Sequence, residues 1–156
     1  MKLDHDVSHR RSIRLKGYDY TQVGFYFITI CAHNHKCIFG RITDSNMSLR
    51  HEGKIAQDEW LKTAEMRPNI SLGEFVIMPN HMHGIIEVTH QLESKTATCV
   101  HEKIEQFGKP VSNRIPTIVR GYKSAMTKRI KILRNQPVLQ VWQRNYSILF
   151  EMKMPI

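Results

Sequence analysis

Cysteine is scarce and poorly spaced. Cys31, Cys37 and Cys99 are odd in number and contain no C-x-x-C pair, which argues against a disulfide framework and a thiolate zinc site and leaves them as free thiols. Long apolar runs are also missing, so nothing in the sequence is suited to cross a bilayer. The opening "MKLDHDVSHRRSIRLKGYDY" lacks the apolar stretch of a secretory signal, and the expected location is cytoplasmic. Acidic side chains are outnumbered, 14 against 23 Lys and Arg, for a net charge of +9. That excess favours a polyanionic partner, most often nucleic acid, bound through its phosphates. A composition 41% apolar and 24% charged excludes a disordered chain, and 156 residues suit one compact domain.

Residues 1–20 read as a basic arm, with Arg10, Arg11, Arg14 and Lys16 close together and few apolar partners. The β-branched and aromatic run from Phe25 to Cys31 predicts a strand, turning at "AHNHK" and resuming at Ile38 and Phe39 as a hairpin. Glu52 to Met66 carries Ile55, Trp60, Leu61 and Ala64 at near-helical spacing with charged residues between them, and Pro68 stops the helix. "EFVIM" and Met82 to Val88 predict two more strands, joined as an antiparallel hairpin through Pro79-Asn80. Residues 89–113 read as a polar loop. A second helix is predicted from Pro116 to about Leu133, its apolar stripe being Val119, Tyr122, Met126, Ile130 and Leu133. Arg120, Lys123, Lys128 and Lys131 lie away from that stripe as candidate phosphate contacts. "VLQVW" predicts a last strand. The element order implies an α+β sandwich with helices packed on a mainly antiparallel sheet.

"MPNHMHGIIEV" carries the chemistry. On a strand, His81 and His83 project to one face and Met82 to the other, so both imidazoles can reach one ion. His-x-His alone leaves two readings open, a metal site and a pair of surface polar residues. The apolar run that follows makes the strand central, where idle histidines are costly.

The segments "GFYFITICAHNHKCIFG", "FVIMPNHMHGIIEV", "IVRGYKSAMTKRI" and "VWQRNY", in this order, resemble the REP-associated tyrosine transposases of the single-tyrosine HUH superfamily. The likeness runs from about Arg14 to Tyr146. It implies a ferredoxin-like fold over 21–146 whose central strand carries His81 and His83 as ligands of Mg²⁺ or Mn²⁺. It further implies a single-stranded or hairpin DNA substrate, contacted by the basic residues already named and by Arg144, and a monomer or homodimer. In such proteins the metal polarises a scissile phosphate and a tyrosine attacks it, leaving a 5′-phosphotyrosine that conserves the bond for rejoining.

The chain departs from that pattern after "RNY". Family members continue into a helix bearing the nucleophilic tyrosine and a further metal ligand; here residues 147–156 read "SILFEMKMPI", a divergent tail of the kind truncation or a frameshift leaves. Tyr146, the only tyrosine after the second helix, is the candidate nucleophile, but it matches the tyrosine of "RNY", and its plainer reading is a packing residue at a strand end. The expected activity is therefore transposase-type DNA cleavage and rejoining, impaired by the missing nucleophile. A non-catalytic hairpin-binding module or repressor is the alternative, and a metal-dependent nuclease using activated water is a third.

Overall fold

The computed structural model describes residues 18–92 and 114–151. Arg10, Arg11, Arg14 and Lys16, and the 89–113 loop beyond Leu92, lie outside the described residues. Six strands and two helices follow one another as β1 (Gly24–Cys31), β2 (Gly40–Thr43), β3 (Asn46–Leu49), α1 (His51–Glu65), β4 (Ile70–Ile77), β5 (His81–Val88), α2 (Ile115–Arg134) and β6 (Ser147–Glu151). The main sheet has the order β4-β5-β1-β6 and every neighbouring pair is antiparallel. With the β2–β3 hairpin set aside, this is the β-α-β-β-α-β arrangement of a ferredoxin-like α+β fold, as the sequence predicts.

Alternation along the strands builds the core. Tyr26, Ile28 and Ile30 on β1 and Met82, Ile86 and Val88 on β5 are buried on the helix side. The helices close over them with Ala56 and Trp60 from α1 and Ile118, Val119, Tyr122, Met126 and Ile130 from α2. Filling that layer with apolar side chains is the main stabilising term. Gly84 is the thinnest point of β5, because Trp60 packs over it where any side chain would stand. The helices are also tied by ion pairs, Arg134 to Glu52 at 2.6 Å and Arg129 to Glu59 at 2.7 Å. Burial disfavours ionisation of Glu59, but hydrogen bonds from Arg129 and Lys62 outweigh it and hold its carboxyl below the usual range.

The β4–β5 hairpin forms as expected, its turn closed by Met78 N donating to His81 O at 2.8 Å. Several expectations are corrected. The first hairpin is not β1 with Ile38 and Phe39: a short 3-10 turn at His33–His35 ends β1, and β2 pairs with β3 instead. Asp44 and Ser45 both take positive φ there, the left-handed pair that a two-residue hairpin turn needs. Leu61 and Leu133 point outward, at 47% and 48% exposure, and Thr63 takes the inward place on α1. "VLQVW" makes only an isolated bridge, Trp142 to Ala32. The edge strand lies instead in the stretch set apart as a divergent tail, where Ser147–Glu151 pairs with β1.

Candidate nucleic-acid interface and histidine pair

The face of the sheet opposite the helices carries the odd-numbered residues of β1 and β5. His81 and His83 are half-buried there with ring centroids 4.8 Å apart, and Met82 between them is fully buried on the other side. Their cross-strand neighbours are Cys31 and Thr29. Because Ala32 N donates to Asn80 O across the same two strands, the alternation makes Cys31–His81 and Thr29–His83 non-hydrogen-bonded pairs, whose side chains stand closest.

Each imidazole is held by one nitrogen. Thr29 Oγ1 lies 2.8 Å from His83 Nδ1, and Asn80 Oδ1 lies 2.7 Å from His81 Nδ1. Phe27 stacks on His83 at 5.3 Å. With Nδ1 engaged in both rings, Nε2 is the nitrogen left for a ligand. Burial, with the neighbouring His83 and His35 adding to it, holds the His81 imidazole below its ordinary pKa and so keeps it neutral, the form that ligates metal. The donor chemistry fits a divalent cation at two positions. Among the described residues no group of three His, Cys, Asp or Glu converges on one point, so the remaining positions would fall to water or phosphate oxygens.

A groove of about 1270 Å³ opens between α2 and the 139–145 segment. Arg120, Lys123, Lys128 and Lys131 from the helix and Arg144 from the segment all line it. Every basic candidate within the described residues is thus gathered on one concave surface. From Arg120 to Lys131 the helix rises ~16 Å at 1.5 Å per residue. The Lys123 ammonium donates to the carbonyls of Gln143 at 2.6 Å and Arg144 at 3.3 Å, and burial pushes it down to about 8. It shapes the groove wall. His33 also lines the groove, and Gln143 Nε2 reaches His35 Nε2 at 2.9 Å. The His33–His35 turn therefore stands between the groove and the histidine pair.

Tyr146 stands elsewhere. It packs against the helix-side core with Lys123 5.6 Å from its ring centroid, while the histidines occupy the other face of the sheet. This placement agrees with the packing reading of Tyr146, since attack needs near-in-line placement. The five tyrosines of the chain, Tyr18, Tyr20, Tyr26, Tyr122 and Tyr146, all lie in or against that core. Sequence reasoning missed Thr29 and Asn80; only the cross-strand register exposes the first, and adjacency to His81 was the one signal for the second.

This α+β architecture, with an antiparallel sheet and two helices, is the fold of a REP-associated tyrosine transposase solved with a REP hairpin bound. The TM-score is 0.51 at 14% identity, over 90% of this chain and 62% of that one, so the chain spans less than two thirds of that structure. A candidate transposase of Deinococcus radiodurans shares it at a TM-score of 0.50 and 16% identity, covering 87% and 85% of the two chains. No family model matches the chain. An uncharacterized protein of Haemophilus influenzae is 41% identical over 146 residues, 93% of this chain and 80% of the relative. The chain belongs to the family of that protein. Among the described residues no helix is long and apolar enough to cross a membrane.

Proposed function

We propose that this chain is a transposase-type DNA-binding protein that takes single-stranded or hairpin DNA in the α2 groove and presents a phosphate to Mg²⁺ or Mn²⁺ held by His81 and His83. The observation that carries the reading is the convergence of Arg120, Lys128, Lys131 and Arg144 on one groove that His33 also lines, next to His35, whose carbonyl meets Asn80 beside His81. The fold shared with transposase structures, one of them with a REP hairpin bound, supports the same substrate class.

The bound cation would act as a Lewis acid on the phosphate and as a template for its orientation. The protein's own contribution is to hold the two imidazoles side by side by their Nδ1 atoms and to fix the backbone of the strand by ion pairs in the groove. Cleavage and rejoining through a tyrosine–DNA intermediate needs a hydroxyl aligned at that phosphate. All five tyrosines lie in or against the helix-side core, which supports a reading in which the attacking hydroxyl comes from another chain. On its own the chain then behaves as a hairpin-binding module.

The test is a labelled DNA hairpin incubated with the purified protein and Mn²⁺. A salt-sensitive complex on native gels is expected, with no covalent adduct on denaturing gels. Mn²⁺ binding, followed by the EPR signal of the free ion, should disappear in His81→Ala and His83→Ala. An adduct abolished by Tyr146→Phe would overturn the assignment of the nucleophile, and Mn²⁺ affinity indifferent to both histidines would overturn the metal site.

A further inference from the structure

Asn80 lies in the β4–β5 turn with both ends of its amide engaged. Nδ2 donates to the carbonyl of His35 at 3.3 Å, and Oδ1 faces His81 Nδ1 at 2.7 Å. A carbonyl has no proton to give. The amide therefore cannot be reversed without setting two oxygens against each other, and Oδ1 must be the atom that meets the imidazole. An amide oxygen only accepts, so His81 Nδ1 must carry the proton.

The surroundings keep this arrangement from relaxing. Asn80 O accepts from Ala32 N at 2.8 Å, and Pro79 O accepts from Phe39 N at 3.0 Å, so the turn is fastened on both sides. The His35 carbonyl is aimed by a tight turn in which Asn34 and His35 both have φ of 52°. Gln143 holds the His35 ring from the groove side. The other histidine is treated differently. Thr29 Oγ1 can donate or accept, so its contact with His83 Nδ1 orients that ring without choosing its tautomer.

We infer that Asn80 is a positioning residue that locks His81 as the Nδ1–H tautomer, so that Nε2 always presents a lone pair to a divalent cation. The inference deepens the proposed metal role of His81 and rests on it. It assigns a task to the His33–His35 turn as well, because the carbonyl that fixes the Asn80 amide comes from there.

The experiment uses long-range ¹H–¹⁵N NMR of the imidazole nitrogens in the metal-free protein, above the pH range in which His81 titrates, together with Mn²⁺ binding by EPR. Wild type is expected to show Nδ1–H at His81. Asn80→Ala should shift that ring toward the Nε2–H form that free imidazoles favour and weaken Mn²⁺ binding by about 10–100-fold. Asn80→Asp loses the bond to the His35 carbonyl but keeps an acceptor for His81 Nδ1, and should hold the Nδ1–H tautomer that Asn80→Ala gives up. A wild-type ring already in the Nε2–H form, or an Asn80→Asp protein that behaves like Asn80→Ala, overturns the inference. Should the tautomer follow Asn80 as expected while wild type binds no Mn²⁺, the positioning chemistry stands and the metal reading beneath it falls.

Discussion

Gly84→Ala is the sharpest probe of how the core supports the histidine strand. A Cβ added at Gly84 would lie 2.4 Å from Trp60 Cζ2, 2.9 Å from Cε2 and 3.0 Å from Cη2. Carbon atoms in contact prefer about 3.5–4.0 Å, so the indole would have to yield by about 1 Å. It has nowhere to go: Trp60 is fully buried, with Tyr122 edge-on at 5.4 Å between ring centroids and Phe75 at 6.4 Å. The strain must pass to the backbone, by lifting β5 from α1. Overpacking of this kind costs about 1–3 kcal/mol, and for a chain of this length each kcal/mol lowers Tm by about 2–4 °C. Calorimetry of Gly84→Ala is expected to show Tm lowered by about 2–12 °C. Trp60→Phe removes the atoms that collide. In the double variant the two losses should therefore fall short of their sum by at least about 1 kcal/mol. Strict additivity, or an unchanged Tm in Gly84→Ala, would refute the packing argument. Because His83 is the preceding residue, any lift of β5 should also weaken Mn²⁺ binding in Gly84→Ala and leave it intact in Trp60→Phe.

Replacing Lys128, Lys131 and Arg144 together by Ala should make the dependence of log affinity on log salt shallower by about 2, at about 0.7 per lost phosphate contact on single-stranded DNA; an unchanged slope in a binding titration would place the DNA elsewhere. Lys123 gives a pH prediction. Its folded pKa of about 8 lies below the ordinary lysine value of 10.5, so between those limits the unfolded chain holds more protons and stability rises with pH. Wild type should accordingly gain stability relative to Lys123→Met from about pH 8 to 10.5 in urea melts, by less than the full shift implies because the group is partly solvated. Equal pH profiles for the two proteins would show that Lys123 is not desolvated.

The long elements were legible because their periodicity is strong. β1, β5 and α2 alternate or repeat over eight or more residues, and burial follows that repeat. Short elements were not. β2 and β3 have four residues each, and the turn joining them is made by Asp44 and Ser45 without a glycine to announce it. "VLQVW" has strand-forming residues, yet Val138 is 89% exposed, and the segment's bonds with the end of β1 are few: His33 N to Val141 O and Gln143 N to Cys31 O. In the tail, Ile148 is buried and Leu149 is 64% exposed, an alternation that fits a strand however the segment compares with other proteins. The basic candidates on α2 could be named from spacing, but not their union with Arg144, since that depends on the path of the chain after Gln136. The same holds for Thr29, which is distant in sequence from His83 and adjacent only through register.

The two-residue repeat of the central strands also divides the protein's tolerance for change. Even positions on β1 and β5, such as Ile28, Met82 and Ile86, are buried beneath the helices, whereas odd positions, such as Thr29, His81 and His83, face away from them. A saturation library would then give a checkerboard, with even positions governing how much folded protein accumulates and odd positions governing what that protein binds. Substitutions that retune the face could accumulate with little effect on the core, and Gly84, pressed under Trp60 beside His83, marks the place where the two kinds of constraint meet.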